Sequence, residues 1–128
     1  MEKKVLLVED EKNIILGVRT CLEAVGYKVH VVEDGEAAMQ FVRTEKPDLI
    51  LLDLLLPKVD GFEVCHTLKN DDDTKDIPVV VLTAKAAEED RKKAMDQGAD
   101  AYMTKPFRPQ ELWDEIKRFL PEGKEEEI

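Results

Sequence analysis

Leu49-Ile50-Leu51-Leu52-Asp53-Leu54-Leu55-Leu56-Pro57 is the stretch whose reading decides the fold. It carries one carboxylate among seven apolar neighbours. A continuous apolar run, without polar alternation, reads as a strand buried on both faces, as in the middle of a parallel sheet. Taking a carboxylate out of water is costly unless something compensates it. A chain built only to fold would carry Val or Ile at position 53. Groups elsewhere in the sequence must therefore answer Asp53.

On either side of this run, short apolar segments alternate with stretches of helical period. Val5-Leu6-Leu7-Val8 reads as the first strand, and Ile14, Val18, Cys21, Leu22 and Val25 mark one face of a first helix that Gly26 stops. Lys28 to Val32 form a second strand, and Ala37, Ala38, Phe41 and Val42 stripe a second helix starting near Asp34 and blocked by Pro47. Asp48 to Asp53 are the third strand. Asp60 and Glu63 look like the cap and third position of a third helix, which fades into Asn70-Asp71-Asp72-Asp73. Ile77 to Thr83 read as a fourth strand, Glu88 to Gln97 as a charged fourth helix ended by Gly98, and Ala101 to Thr104 as a fifth strand. Pro109 opens a last helix with Leu112, Trp113, Ile116, Phe119 and Leu120 on its apolar face. Strict alternation of this kind implies an α/β fold, a parallel sheet with helices on both faces joined by right-handed crossovers.

The chain has 128 residues, enough for one domain, and 43% hydrophobic content supports a real core. We read residues 1–120 as that domain and residues 121–128 as a charged tail or a truncated linker. A formal net charge of −10, with no basic stripe, argues against nucleic-acid binding by this domain and against docking on an anionic membrane. Cys21 and Cys65 match no metal-ligand spacing and read as reduced core thiols. His30 and His66 are isolated, on a strand and a helix, and neither is assigned a functional role. The N-terminus enters a strand at once, and no apolar run reaches the roughly 18 residues of a membrane span, which points to the cytoplasm.

In open α/β sheets, ligands bind outside the carboxyl ends of the strands. Here those ends carry Glu9-Asp10-Glu11, Asp53, Thr83 and Lys105-Pro106. If the first, third and fourth strands are neighbours, several carboxylates converge and repel one another. A hard cation and a nearby ammonium would relieve them: oxygen-only ligands suit Mg²⁺, and Lys105 would supply the ammonium. Taken singly, Asp10 could be a helix cap, Thr83 an ordinary strand-end residue and Lys105 a solvated one. Together at one edge they read as a site.

Glu9-Asp10, Asp53 with Pro57 and Gly61 downstream, Thr83-Ala84 and Lys105-Pro106-Phe107 resemble the receiver domain of two-component response regulators, over about residues 4–120. The likeness is to the chemotaxis response regulator type. It implies a single-domain, doubly wound (βα)5 flavodoxin-like three-layer sandwich with strand order 2-1-3-4-5, an order that periodicity alone left open. It further implies a phosphorylation-activated switch rather than a turnover enzyme, with Asp53 accepting a phosphoryl group from a sensor histidine kinase or histidine phosphotransfer protein. Asp10, Asp53 and the backbone carbonyl of Leu55 would ligate Mg²⁺, for which Mn²⁺ can substitute, and Glu9 would act through water. Lys105 and Thr83 would contact the phosphoryl group, and Thr83 and Tyr102 would relay the change. The Lys105–Pro106 peptide would be cis. The resemblance directs a downstream protein partner to the face of the fourth helix, fifth strand and fifth helix, and allows a phosphorylation-dependent homodimer. For Trp113, a place on that face and burial in the core both stand open. The fourth helix has little large apolar surface, as suits an element that moves.

Some positions depart from the family pattern. The acidic pair is Glu-Asp where many members have Asp-Asp, though the longer Glu9 should still reach a metal-bound water. Leu55 and Lys85 offer no amide or carboxylate to orient an attacking water, so autodephosphorylation should be slow. Ala84 should keep the approach open. Three other readings compete. A flavodoxin-like carrier would need a phosphate-cradling loop where Glu9-Asp10-Glu11 would repel phosphate. A haloacid-dehalogenase-type phosphatase would need an Asp where Leu55 stands. A non-phosphorylated pseudo-receiver docking module would ordinarily have lost the acidic pair, the acceptor or the Lys, and all are present.

Overall fold

The computed structural model describes residues 3–56, 60–83 and 88–120. In chain order the elements are β1 (Lys4–Val8), α1 (Lys12–Glu23), β2 (Lys28–Val32), α2 (Gly35–Glu45), β3 (Leu49–Asp53), α3 (Gly61–Lys69), β4 (Val79–Thr83), α4 (Glu88–Asp96), β5 (Ala101–Thr104) and α5 (Pro109–Phe119). The strands form one sheet in the order β2-β1-β3-β4-β5, every pair parallel. Strand order reverses at β1 and β3, which pair from Val5 with Leu49 to Val8 with Leu52.

Side chains alternate across the sheet and divide the core in two. Val5, Leu7, Leu49, Leu51, Val80 and Leu82 face α1 and α5, where Val18, Leu22, Leu112 and Ile116 meet them. Leu6, Val8, Ile50, Leu52, Val79 and Val81 face the other way, against Ala38 and Val42 of α2, Cys65 and Leu68 of α3, and Ala94 of α4. Both faces of β3 are therefore covered, and all of Leu49–Leu52 is fully buried. This is the three-layer doubly wound sandwich expected of an unbroken apolar strand.

Local chemistry sets the element ends. Asp34 accepts the Ala37 N–H at 2.8 Å and Asp60 accepts the Phe62 N–H at 3.0 Å, each satisfying a donor the helix leaves free. The Glu111 carboxylate accepts the Arg108 N–H at 2.8 Å at the start of α5. Gly26 and Gly98 take φ of 96° and 103° after α1 and α4, a conformation that a Cβ disfavours.

Several boundaries differ from the expectation. Val25 is not on the α1 face: the helix ends at Glu23, and Val25 is 57% exposed. β4 begins at Val79 rather than Ile77, because the Ile77 N–H closes a turn onto the Thr74 carbonyl. β3 begins one residue later than expected, and the Asp48 carboxylate accepts the Lys4 N–H at 2.8 Å. α4 stops at Asp96, one residue before Gln97. The end of β3 at Asp53 is as expected; past it, Leu54 and Leu56 are buried, whereas Leu55 is 62% exposed. Trp113 packs against the first core layer and donates its indole N–H to the Cys21 carbonyl at 3.2 Å, tying α5 to α1. Cys65 is buried and Cys21 half-buried. No helix among the described residues is long and apolar enough to cross a membrane.

One polar device was not anticipated from sequence. Asp100 accepts the Val79 N–H at 2.8 Å and the Lys69 ammonium at 2.9 Å, and Lys69 also donates to the Ile77 carbonyl at 3.0 Å. This pins the entry of β4 between α3 and β5. Asp100 and Lys69 stand far apart in sequence, so no local pattern announces the pair.

Candidate functional site

Topology gathers the site at the carboxyl edge of the sheet. Glu9 follows β1 directly and its N–H bonds the Val32 carbonyl at 3.0 Å, which continues the β1–β2 ladder by one step. Asp53 is the last residue of β3, in register with Leu82. Lys105 follows β5, and its N–H bonds the Thr83 carbonyl at 2.7 Å. β4 lies between β3 and β5, which places those two strands about 10 Å apart. The long Lys105 side chain spans that gap over the end of β4. Its ammonium lies 3.2 Å from Asp53 Oδ2, 3.2 Å from Glu9 Oε1 and 3.4 Å from Glu9 Oε2.

The buried acid is thus answered by a half-buried ammonium. Asp53 is 3% exposed and Glu9 fully buried, while Asp10 is exposed at the mouth. The Leu55 N–H donates to Asp53 Oδ1 at 3.1 Å, leaving Oδ2 to Lys105. Burial pushes the Glu9 carboxyl above the ordinary carboxylate range; the Glu11 N–H pulls it back, Asp53 adds to the rise, and Lys105 opposes it. For Lys105, burial favours the neutral amine, but Asp53 and then Glu9 outweigh it, so its pKa is raised and the ammonium is kept. Sequence reading placed Glu11 in the acidic run after β1 but gave it no role of its own. Its N–H nevertheless donates to Glu9 Oε2 at 3.1 Å and its carboxylate reaches within 4.0 Å of the Lys105 ammonium. Its place in an unbroken acidic triplet was the available signal.

Glu9, Asp10 and Asp53 each bring one carboxylate oxygen within 4.8 Å of the others. Thr83 ends β4 beside them, 3% exposed and paired with Thr104. Tyr102 lies one strand away on β5, half-buried against the second core layer, with the Arg91 guanidinium carbon 5.3 Å from its ring centroid. The Lys105–Pro106 peptide is cis. Pro57, Ala84 and Lys85, and the tail 121–128, lie outside the described residues.

A family model for the response regulator receiver domain matches residues 5–117. The chain belongs to the response regulator receiver family. This receiver is 46% identical over 120 residues to the alkaline phosphatase synthesis transcriptional regulatory protein PhoP of Bacillus subtilis (strain 168), a match covering 94% of the receiver and 49% of that protein. It therefore spans about half the length of such curated relatives. Among solved structures, a putative response regulator from Chloroflexus aurantiacus has a TM-score of 0.90 at 31% identity, covering 95% of the receiver and 100% of that chain. The receiver domain of sensor histidine kinase PA1611 from Pseudomonas aeruginosa, solved with a magnesium ion coordinated in its active-site cleft, has a TM-score of 0.86 at 30% identity, covering 95% and 100%.

The donor set of this receiver fits such an ion. All the converging atoms are carboxylate oxygens, the ligands a hard divalent cation takes, and Asp10 leaves one side open to water. Three carboxylates against one ammonium leave a formal charge of −2 to be met.

Proposed function

We propose that Asp53 is the phosphoacceptor of a two-component signalling switch, taking its phosphoryl group from a phosphohistidine of a sensor histidine kinase or histidine phosphotransfer protein. One observation carries the reading: a buried carboxylate at the end of β3, its Oδ2 held 3.2 Å from the half-buried Lys105 ammonium, with two further carboxylates converging on it. An Asp53 oxygen attacks phosphorus in line, the new O–P bond forming as the P–N bond breaks, and the imidazole keeps the bonding pair. Lys105 places positive charge where negative charge builds on the transferring group. The Leu55 N–H holds Oδ1 and so fixes the plane of the nucleophile. Thr83 contacts the phosphoryl group once it is in place.

Asp10, Asp53 and the Leu55 carbonyl would hold Mg²⁺, or Mn²⁺ in its place, with Glu9 acting through water. The bound cation supplies further positive charge to the transferring oxygens. Thr83 and Tyr102 then relay the change to the face of α4, β5 and α5, where a protein partner or a second phosphorylated copy docks. No diffusible substrate is turned over. Residues 1–120 act as the receiver in the cytoplasm, with 121–128 as tail or linker. Relatives named as transcriptional regulators support an output in gene expression, and the net charge of −10 argues against direct nucleic-acid contact by this domain.

Intact mass after incubation with a small-molecule phosphodonor, with and without Mg²⁺, tests this on wild type and Asp53→Asn. One added phosphoryl group, dependent on metal and absent from the variant, is expected. No adduct, from a kinase as well as from the small donor, would leave a docking module instead.

A further inference from the structure

The seat of α4 is unusual for a helix laid on a sheet. Among its described side chains only Ala94 is buried, and Met95, its one large apolar residue, is 41% exposed. Two cationic side chains stand over aromatic rings on its flanks. The Arg91 guanidinium carbon lies 5.3 Å from the Tyr102 ring centroid on β5, and the Lys93 ammonium lies 4.4 Å from the Phe62 ring centroid on α3. At about 100° per residue, Arg91 and Lys93 point roughly 200° apart, with Ala94 between them. Among its described side chains the helix thus buries one methyl group, and on both sides it sets charge on aromatic faces.

We propose that Arg91 is a positioning residue: with Lys93, it forms a clasp that holds α4 and the Tyr102 ring together in the resting arrangement. The proposal rests on the reading of Tyr102 as a relay, and it names what that ring must leave in order to move. A ring turning away from Arg91 gives up the contact that seats the β5 flank of α4, so ring and helix shift together. Lys93 on Phe62 keeps the other flank fixed and acts as the pivot. Such a contact is weak enough to break: its typical strength corresponds to a shift of about two- to fivefold between the two arrangements.

The test uses the full chain with ring-labelled tyrosine and four variants. Arg91→Gln removes the contact and keeps helix propensity, Arg91→Lys retains a cation, and Lys93→Gln removes the pivot. Lys92→Gln removes a charge that meets no ring among the described residues. Arg91→Gln should displace the Tyr102 ring resonance, speed amide exchange over residues 89–96 and raise the rate of Asp53 labelling by a small phosphodonor, the last two by about two- to fivefold. Arg91→Lys should restore most of each effect. Lys93→Gln should speed exchange while leaving the ring resonance in place, and Lys92→Gln should match wild type. A wild-type ring resonance in Arg91→Gln, exchange no faster than in Lys92→Gln, or an unchanged labelling rate despite a displaced ring would overturn the proposal. Failure of wild type to take a phosphoryl group would instead count against Asp53 as acceptor, while resonance and exchange still decide the clasp.

Discussion

Two glycines to which one substitution should do opposite things offer a severe check on the packing around Asp53. Gly17 lies on the exposed side of α1, and a Cβ there meets nothing within 4 Å. Gly61 opens α3, and a Cβ there would lie 2.6 Å from Leu54 Cα, 2.9 Å from the Asp53 carbonyl oxygen and 3.0 Å from that of Leu54. Carbon atoms in contact prefer about 3.5–4.0 Å, so the overlap is about 1 Å, and backbone cannot rotate away as a side chain would. Overpacking of this kind costs about 1–3 kcal/mol, and three simultaneous backbone contacts argue for the upper end. In both places Ala gains about 0.5–1 kcal/mol through the loss of freedom in the unfolded chain. Gly17→Ala should therefore stabilise by that amount and Gly61→Ala destabilise by about 2 kcal/mol net. With an unfolding entropy of about 2.1 cal/mol/K per residue over 128 residues, 1 kcal/mol moves Tm by about 4 °C. The two variants should lie about 10 °C apart, with matching differences in urea midpoint at constant slope. Gly61→Ala as stable as wild type would refute the close approach of α3 to the end of β3.

Divalent cation should stabilise the fold by binding only the native acidic cluster. At a hundredfold over Kd the gain is about 2.7 kcal/mol, and Asp10→Asn should lose most of it; identical melting in Mg²⁺ and in chelator would remove the cluster as a cation site. Burial, with Asp100 adding and Lys69 opposing, pushes the Cys65 thiol from its ordinary value near 9 up to about 11. The unfolded thiol ionises first, so this contribution to stability is intact below pH 9 and is lost as pH rises towards 11. At pH 8.5 a thiol reagent should accordingly label half-buried Cys21 well before Cys65, a ranking that mass spectrometry of the digested protein reads directly. Leu55 is 62% exposed beside Asp53, the proposed acceptor, and carries no group to orient water, so the aspartyl-phosphate should be long-lived in Mg²⁺. Decay within seconds would contradict that.

Much of the fold was legible because burial on both faces leaves a short, unbroken apolar run, which its length and its regular alternation with helical stretches mark as strand. Leu49 to Leu52 had to be a central strand, and alternation with helices had to make the sheet parallel. The errors fell where composition stops resembling structure. Val25 continues the helical stripe in letters, but the chain has already turned at Ala24 and Gly26. Ile77 continues the apolar run of the fourth strand in the same way, yet its N–H closes a turn and β4 starts at Val79. In both cases hydrophobicity is a property of the residue, whereas exposure is a property of its neighbours.

By itself, the sequence determined that an acid would be buried at position 53 and that other polar residues would end other strands at the same edge of the sheet. Those are consequences of residue type and period, and both are local. Only the tertiary structure decided that Lys105, 96 residues from Glu9, would lie between Glu9 and Asp53, because a contact across the end of β4 depends on strand order, which periodicity does not encode. The same holds for Arg91 on Tyr102 and Lys93 on Phe62. A charged helix reads as solvated in sequence, and only the placement of two aromatic rings on neighbouring elements turns its cations into the contacts that seat it.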